Sequence, residues 1–282
     1  FRSRTFVGKT HGIEERHYPP FYYGNAQTVP SHNLAEAFPA KNGFPINDIR
    51  SLYDKDNPYT CERDNRFNVN LYYQGRKFGA NDSYIDVSPG GKDSDSFNEK
   101  ASRSGYYLAK FVNTDLANFL KPLEVQNSRH YYPMLRKGEV WFNFAEASNE
   151  AWGPKVTGPG CSMSAYDVIR TIREKSGGIT NTTYLDEVAT TPESFRKLIQ
   201  NERRIEFAFE NQRFWDLRRW LLPLDETISG MKVTRGTDGD DDFEVVPIET
   251  RPLNDIRYYY LPLPYDEMQK NPDLINNKGW GK

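Results

Sequence analysis

Cysteine, histidine and net charge are what this 282-residue chain has least of. Its two cysteines, Cys61 and Cys161, stand far apart in sequence. They make no disulfide framework and no metal spacing, and a single bridge or two free thiols both stay open. Four isolated histidines, His11, His17, His32 and His130, form no His-x-x-x-His pair, so no zinc site is expected. Lysine plus arginine (37) nearly matches aspartate plus glutamate (39), giving a net charge of −2 and an isoelectric point near 6.2. A dedicated nucleic-acid binder carries a basic excess, and none is present here. No apolar run approaches the roughly 18 residues that a membrane span needs. The chain opens at Phe1 in a polar stretch, so the lack of a targeting leader carries no information.

Aromatic residues are abundant: 18 Tyr, 17 Phe and 5 Trp, or 14% of the chain. The mean hydropathy is low, at −0.80, but disordered chains are poor in aromatics, so a folded protein with a polar, tyrosine-rich exterior is expected. The length and a hydrophobic fraction of 37% suit one large domain or two smaller ones. Flat amphipathic rings in this number favour a ligand-contacting role.

Three regions differ in character. Residues 1–130 are loop-rich, with turn residues in "HYPPFYYGN", "KNGFPIND" and "DVSPGGKDSDSFNEK". A short helix is expected at Asn33–Phe38, and strands over 67–75 ("FNVNLYYQG") and 105–112 ("GYYLAKFV"). Residues 131–222 read as a helical scaffold. Helices are expected over 133–151, opening at Pro133; over 164–175, capped by Ser164 and ended by Gly177-Gly178; over 191–210, with Thr191 as cap and Pro192 first; and over 211–222. The helices within 133–175 could form a degenerate helical pair of a repeat. Residues 223–282 return to loops and short strands, one of them at 257–264 ("RYYYLPLP").

The densest chemistry lies in "NERRIEFAFENQRFWDLRRW", residues 201–220. Glu202, Glu206 and Glu210 follow at four-residue spacing, among Arg203, Arg204, Arg213, Asp216, Arg218 and Arg219. A glycosidase needs two carboxylates facing each other across a cleft, and three on one helix ridge do not create that gap. A phosphate grip is not normally neutralised from within. The remaining reading is a buried ionic corner between two consecutive helices joined at Asn211-Gln212. Its Arg and Glu groups pair with one another, and Phe207, Phe209, Phe214, Trp215 and Trp220 pack around them.

The same stretch resembles the signature of the SusD/RagB family of surface nutrient-binding lipoproteins. Further blocks resemble that family in order: "VPSHNLAEAFPAKNGFPI" (29–46), "ERDNRFNVNLYYQG" (62–75), "YYPMLRKGEVWFNFAEASNEA" (131–151), "YDVIRTIREKSGG" (166–178) and "YYLPLPYDEMQKNPDLINNKGW" (259–280). Asn65 stands where the family commonly has Pro, and Asn211 where it commonly has Gly. The resemblance covers the family's C-terminal half. It implies a mainly α fold with loop-rich regions and short β-strands, in which tetratricopeptide-type helices pack against an irregular C-terminal region. The N-terminal half, with its lipidated cysteine, is expected to lie outside this chain, so the isolated half is expected to be poorly stable.

The resemblance further implies binding of oligosaccharides, or of peptides in some branches, without catalysis. It implies delivery to a SusC-like TonB-dependent transporter at the outer-membrane surface, with contact to the membrane only through the lipid anchor. A glycan-active hydrolase and a helical scaffold that binds only protein are the competing readings. No catalytic residue is carried over. From composition, ligand contact is expected at Phe21, Tyr22, Tyr23 and Asn25 in "PPFYYGN", where two prolines stiffen the turn, and more weakly at Trp152. These tyrosines could instead cover the core. No cofactor is expected; "TDGDDDFE" (237–244) offers carboxylates for a structural Ca²⁺ but lacks EF-hand spacing, and a solvated acidic turn is the favoured reading.

Overall fold

The structure is a computed structural model that describes residues 12–79, 83–116, 127–130, 133–237 and 239–281. In chain order its elements are α1 (Ile13–His17), α2 (His32–Ala37), α3 (Asn65–Asn70), β1 (Leu71–Tyr72), β2 (Tyr107–Leu108), α4 (Lys137–Trp152), α5 (Ala165–Lys175), α6 (Thr183–Val188), α7 (Pro192–Glu206), α8 (Gln212–Arg219), β3 (Ile228–Arg235), β4 (Asp241–Glu249) and α9 (Tyr265–Lys270). Short 3-10 turns occur at Pro20–Tyr22, Ile49–Ser51, Thr114–Leu116 and Ile256–Tyr259.

Local chemistry starts the main helices. Ser164 and Asp167 form a reciprocal capping box at the head of α5. Thr191 accepts from the Ser194 N–H, and Pro192 fills the first position of α7. One apolar cluster then fills the space between α4, α5, α6 and α7, built from Phe142, Ile169, Leu185, Phe195 and Ile199. A second cluster is mostly aromatic and gathers Tyr18, Tyr22, Tyr72, Phe78 and Tyr107. In a third, Ile205 from α7 meets Phe38, Phe67, Leu71 and Tyr106, with Met231 and Val233 of β3 laid over them. Strands β1 and β2 pair antiparallel through Leu71–Leu108 and Tyr72–Tyr107. Strands β3 and β4 form a longer antiparallel hairpin, from Ile228–Glu249 to Arg235–Asp241.

Several boundaries differ from the sequence reading, each for a local reason. The expected strand over 67–75 is mostly helix: Asp64 caps α3 by accepting from the Arg66 N–H, and only Leu71–Tyr72 is extended. The expected strand at 105–112 likewise shrinks to Tyr107–Leu108. Helix α4 begins at Lys137 and not at Pro133, because Arg136 is extended (φ −136°) while its guanidinium reaches back to the corner described below. Helix α7 ends at Glu206, since Phe209 (φ 63°) and Asn211 (φ 60°) take left-handed conformations that break the helical path. Residues 257–264 hold a 3-10 turn and no strand. The β3–β4 hairpin falls in the region 223–282 where short strands are expected, though no position was given for it, and α6 had no counterpart in the sequence reading. Cys61 and Cys161 are both free thiols, half-buried.

Candidate ligand-contact site and the ionic corner

The proline pair opens a tight turn that carries the aromatic rings. Pro19 is extended (φ −57°, ψ 147°), and residues Pro20–Tyr22 wind into a 3-10 turn. The N–H groups of Tyr22 and Tyr23 donate to the carbonyls of Pro19 and Pro20, both at 2.9 Å. Tyr23 is left-handed (φ 64°), which throws successive side chains to different sides. Phe21 (37% exposed) and Tyr23 (47%) stand on the surface, while Tyr22 (5%) points into the aromatic cluster, 4.3 Å from the Phe78 ring. The Tyr22 hydroxyl meets Ser83 Oγ at 2.7 Å. Lys92 donates to both, at 2.8 and 2.6 Å, and its ammonium lies 4.9 Å from the Phe21 and Tyr22 ring centres. Burial pushes the Tyr22 hydroxyl up to about 12 and the Lys92 ammonium down. Tyr22 is therefore a structural post of the turn, and Phe21 and Tyr23 are its outward rings.

Asn25 ties the turn to α1: both its main-chain and side-chain N–H groups donate to the Glu15 carbonyl at 3.0 Å. The residue itself is half-buried. Trp152 lies elsewhere, at the end of α4, 41% exposed, with its ring against Gly158. The turn thus brings together Phe21, Tyr23 and Asn25, and Trp152 belongs to another element. The partners Ser83 and Lys92 carried no sequence signal, because they reach the turn only through the fold. The acidic segment 237–244 forms the tip of the β3–β4 hairpin and the start of β4, apart from Asp238, which lies outside the described residues. There Asp241 accepts from Gln74 at 2.8 Å and faces Arg235 at 3.5 Å. Among the described residues no group of three or more His, Cys, Asp or Glu gathers as a metal site would.

The stretch 201–220 is a buried ionic corner, but its glutamates are neutralised from outside it. Glu202 is fully buried and accepts from Arg173 (2.6 Å) and Arg66 (2.7 Å). Glu206 accepts from Arg136 (2.7 Å) and Arg66 (3.1 Å). Glu210 accepts from Lys110 (2.6 Å) and, through both oxygens, from Arg136. Three like charges along one ridge cannot satisfy one another, so cations arrive from α3, from α5 and from the segment before α4. Arg66 is fixed in turn by Asp64, at 2.6 Å. Burial would raise the Glu206 carboxyl, but the guanidinium groups of Arg66 and Arg136 outweigh it and hold the carboxyl below its usual value.

Only Asp216 is paired within the stretch, with Arg203 at 2.8 Å and Arg219 at 2.7 Å. Arg219 also grips Glu146 of α4, as does the Trp220 indole N–H at 2.8 Å. Arg218 stacks on Phe214 at 3.5 Å. Arg204 has Glu226 at 3.9 Å. Arg213 is pushed down to about 10, first by burial and then by the neighbouring Arg204 charge. With Glu202, Glu206 and Glu210 each held by two cations, the corner offers no free carboxylate pair for acid/base work. The outside partners Arg66 and Arg136 lie in blocks whose family resemblance was visible; their pairing with the glutamates was not.

The match to known proteins follows the same blocks. The SusD family model matches residues 4–280. The chain belongs to the SusD family. Two SusD-like proteins of Formosa agariphila are 28% identical over 173 residues and 30% identical over 160 residues, covering 61% and 55% of this chain and 27% of each of theirs. A SusD-like protein of Bacteroides fragilis, solved by crystallography, is similar over 99% of this chain at 26% identity and a TM-score of 0.74, with 54% of its own chain covered. A second solved structure from Bacteroides fragilis, a SusD-like carbohydrate-binding protein, matches over 96% of this chain and 53% of its own, at 23% identity and a TM-score of 0.69. The chain thus spans about half the length of these solved relatives. Its fold is the mainly helical SusD-like one, with tetratricopeptide-like helices.

Proposed function

We propose that the protein to which this chain belongs binds oligosaccharides at the cell surface and passes them, uncleaved, to a SusC-like TonB-dependent transporter in the outer membrane, to which it is held by a lipid anchor. Membership of the SusD family over nearly the whole chain carries this reading. The tied-off carboxylates of the corner leave that stretch no acid/base role. The ligand is met at the aromatic turn, where a flat apolar sugar face stacks on Phe21 or Tyr23 and the Asn25 amide oxygen accepts from a hydroxyl. Any structural Ca²⁺ at the acidic hairpin tip would add rigidity there and no chemistry.

A glycan array followed by calorimetry tests the reading. Oligosaccharide binding is expected, with unchanged sugar chain lengths after prolonged incubation. Release of shorter products would replace it by a hydrolase, and binding of peptides alone would change the ligand class. Phe21→Ala combined with Tyr23→Ala is expected to weaken binding at least about tenfold, because burying each ring against an apolar sugar face contributes on the order of 1 kcal/mol. Full affinity in that double variant would move the site away from the turn.

A further inference from the structure

A cleft of about 540 Å³ opens between α2 with the loop that follows it and the pair α6–α7. That volume lies within the range of small-molecule sites. Its two sides are fixed to each other by bonds that leave little freedom. Asn201 of α7 donates to the Ala37 carbonyl of α2 at 2.8 Å. Arg173 donates to the Gly43 carbonyl at 2.7 Å, and Gly43 (φ 91°) has a backbone that other residues rarely adopt. Arg50 clamps Glu187 of α6 at 2.7 Å and lies over the Phe44 ring, which itself packs 5.9 Å from the Tyr184 ring.

The lining divides into apolar walls and unused polar groups. Pro39, Pro45 and Ile46 face Val188 and Leu198 across the opening. Arg173, at the cleft, is already neutralised by Glu202 at 2.6 Å. By contrast the side chains of Asn47 and Lys197, both exposed, and of Tyr184, half-buried, line the same cleft and make no side-chain hydrogen bond or ion pair among the described residues. Glu36 adds a carboxylate that faces His32 at 3.4 Å and feels the Arg204 and Arg63 charges. Polar side chains at the rim of a cleft with apolar walls can exchange their bound water for the hydroxyls of a ligand. Donors and acceptors are mixed, one cation and one carboxylate offset each other, and the walls are flat and apolar. That combination fits a neutral, hydroxyl-rich ring with apolar C–H faces better than an anion or a peptide chain.

We propose that this cleft is a second carbohydrate subsite, separate from the aromatic turn, which holds a pyranose unit through Tyr184, Asn47 and Lys197. The ligand class rests on the proposed function above; the site itself rests on the cleft. The test uses the oligosaccharides that the wild-type chain binds and three variants, Tyr184→Phe, Asn47→Ala and Lys197→Ala, which remove groups with no internal role. The double variant Asn47→Ala/Lys197→Ala is expected to bind at least about fivefold more weakly at an unchanged melting temperature, as the loss of two ligand hydrogen bonds requires. Tyr184→Phe, which keeps the ring, is expected to lose a smaller factor. Side-chain amide NMR signals of Asn47 are expected to move on titration with the same sugar. Wild-type affinity in the double variant, together with Asn47 signals that stay put when the wild-type chain is titrated, would overturn the subsite alone and leave glycan binding at the turn intact. A wild-type chain that binds no sugar would overturn the functional reading and the subsite with it.

Discussion

Asp93 is wholly buried beneath the aromatic turn. One of its oxygens accepts the Asp86 N–H at 3.0 Å, and the other has no hydrogen-bond partner among the described residues. Lys92, 3.9 Å away, is its nearest cation, while the Asp86 carboxylate opposes its ionisation. Burial pushes its carboxyl up from the ordinary 3.8 to about 6. The folded chain therefore holds this proton more tightly than the unfolded one. The stabilisation is complete below pH about 4 and is lost as pH rises through about 6, a difference of about 3 kcal/mol. Asp93→Asn keeps the oxygen that accepts from Asp86 and removes the charge. Urea titrations at pH 5 and pH 8 are expected to find the variant more stable than wild type at pH 8, with a smaller stability difference between the two pH values. An undiminished pH difference in the variant would rule this account out. The two family departures are also residue-scale matters. Asn211 occupies a left-handed position (φ 60°), where Gly is easiest and Asn is tolerated. Asn65 opens α3, where Pro is permitted, but its N–H donates to the Gly177 carbonyl at 2.9 Å, a bond that Pro could not make.

Between elements, the corner decides stability because it ties α7 to α3 and α5 through buried charges. Arg66→Met would leave Asp64 and Glu202, both fully buried, each short of a cation, and is expected to cost about 3–5 kcal/mol in chemical denaturation. The contact of Arg196 with Glu150 joins α7 to α4 at the surface, with both groups exposed, so Arg196→Met is expected to cost under about 1 kcal/mol. Equal costs for the two variants would refute the burial argument. The long helices were legible from sequence because caps such as Ser164 and Thr191 act within a few residues, and the apolar spacing of Phe195, Leu198 and Ile199 is local too. The short elements were not. Residues 67–75 alternate like a strand, yet the Asp64 cap and the pull of Glu202 on Arg66 wind the first part into α3. The β3–β4 hairpin is exposed along most of β4, so its residues carry little hydrophobic pattern, and its placement depends on Met231 and Val233 meeting Phe38 and Tyr106 from far along the chain. At the candidate site, Phe21 and Tyr23 could be named from composition. The inward turn of Tyr22 depends on Phe78, Ser83 and Lys92, which only the fold brings near.

Exposed apolar side chains of the molecule lie in several places, from Ile49 and Leu52 to Tyr265 and Ile275, and one group sits on α4 and its approach. One stripe of α4, with Phe142 and Ala145, is buried against α5 and α7. A second, at Val140, Ala147 and Ala151, follows helical spacing and faces outward, and Met134 (69% exposed) and Val140 (58%) lie at the same end. A helix apolar on both faces is normally covered on both. Uncovered apolar patches of this kind drive association. The 282-residue chain is therefore expected to self-associate at micromolar concentration, seen as a mass above 32.7 kDa in light scattering after size exclusion. Met134→Lys with Val140→Lys, at two exposed positions, is expected to shift the chain toward the monomer without lowering its melting temperature. A wild-type chain that elutes as a monodisperse monomer and melts cooperatively without aggregating would mean that this face tolerates water, and the expected weakness of the isolated half would fall with it.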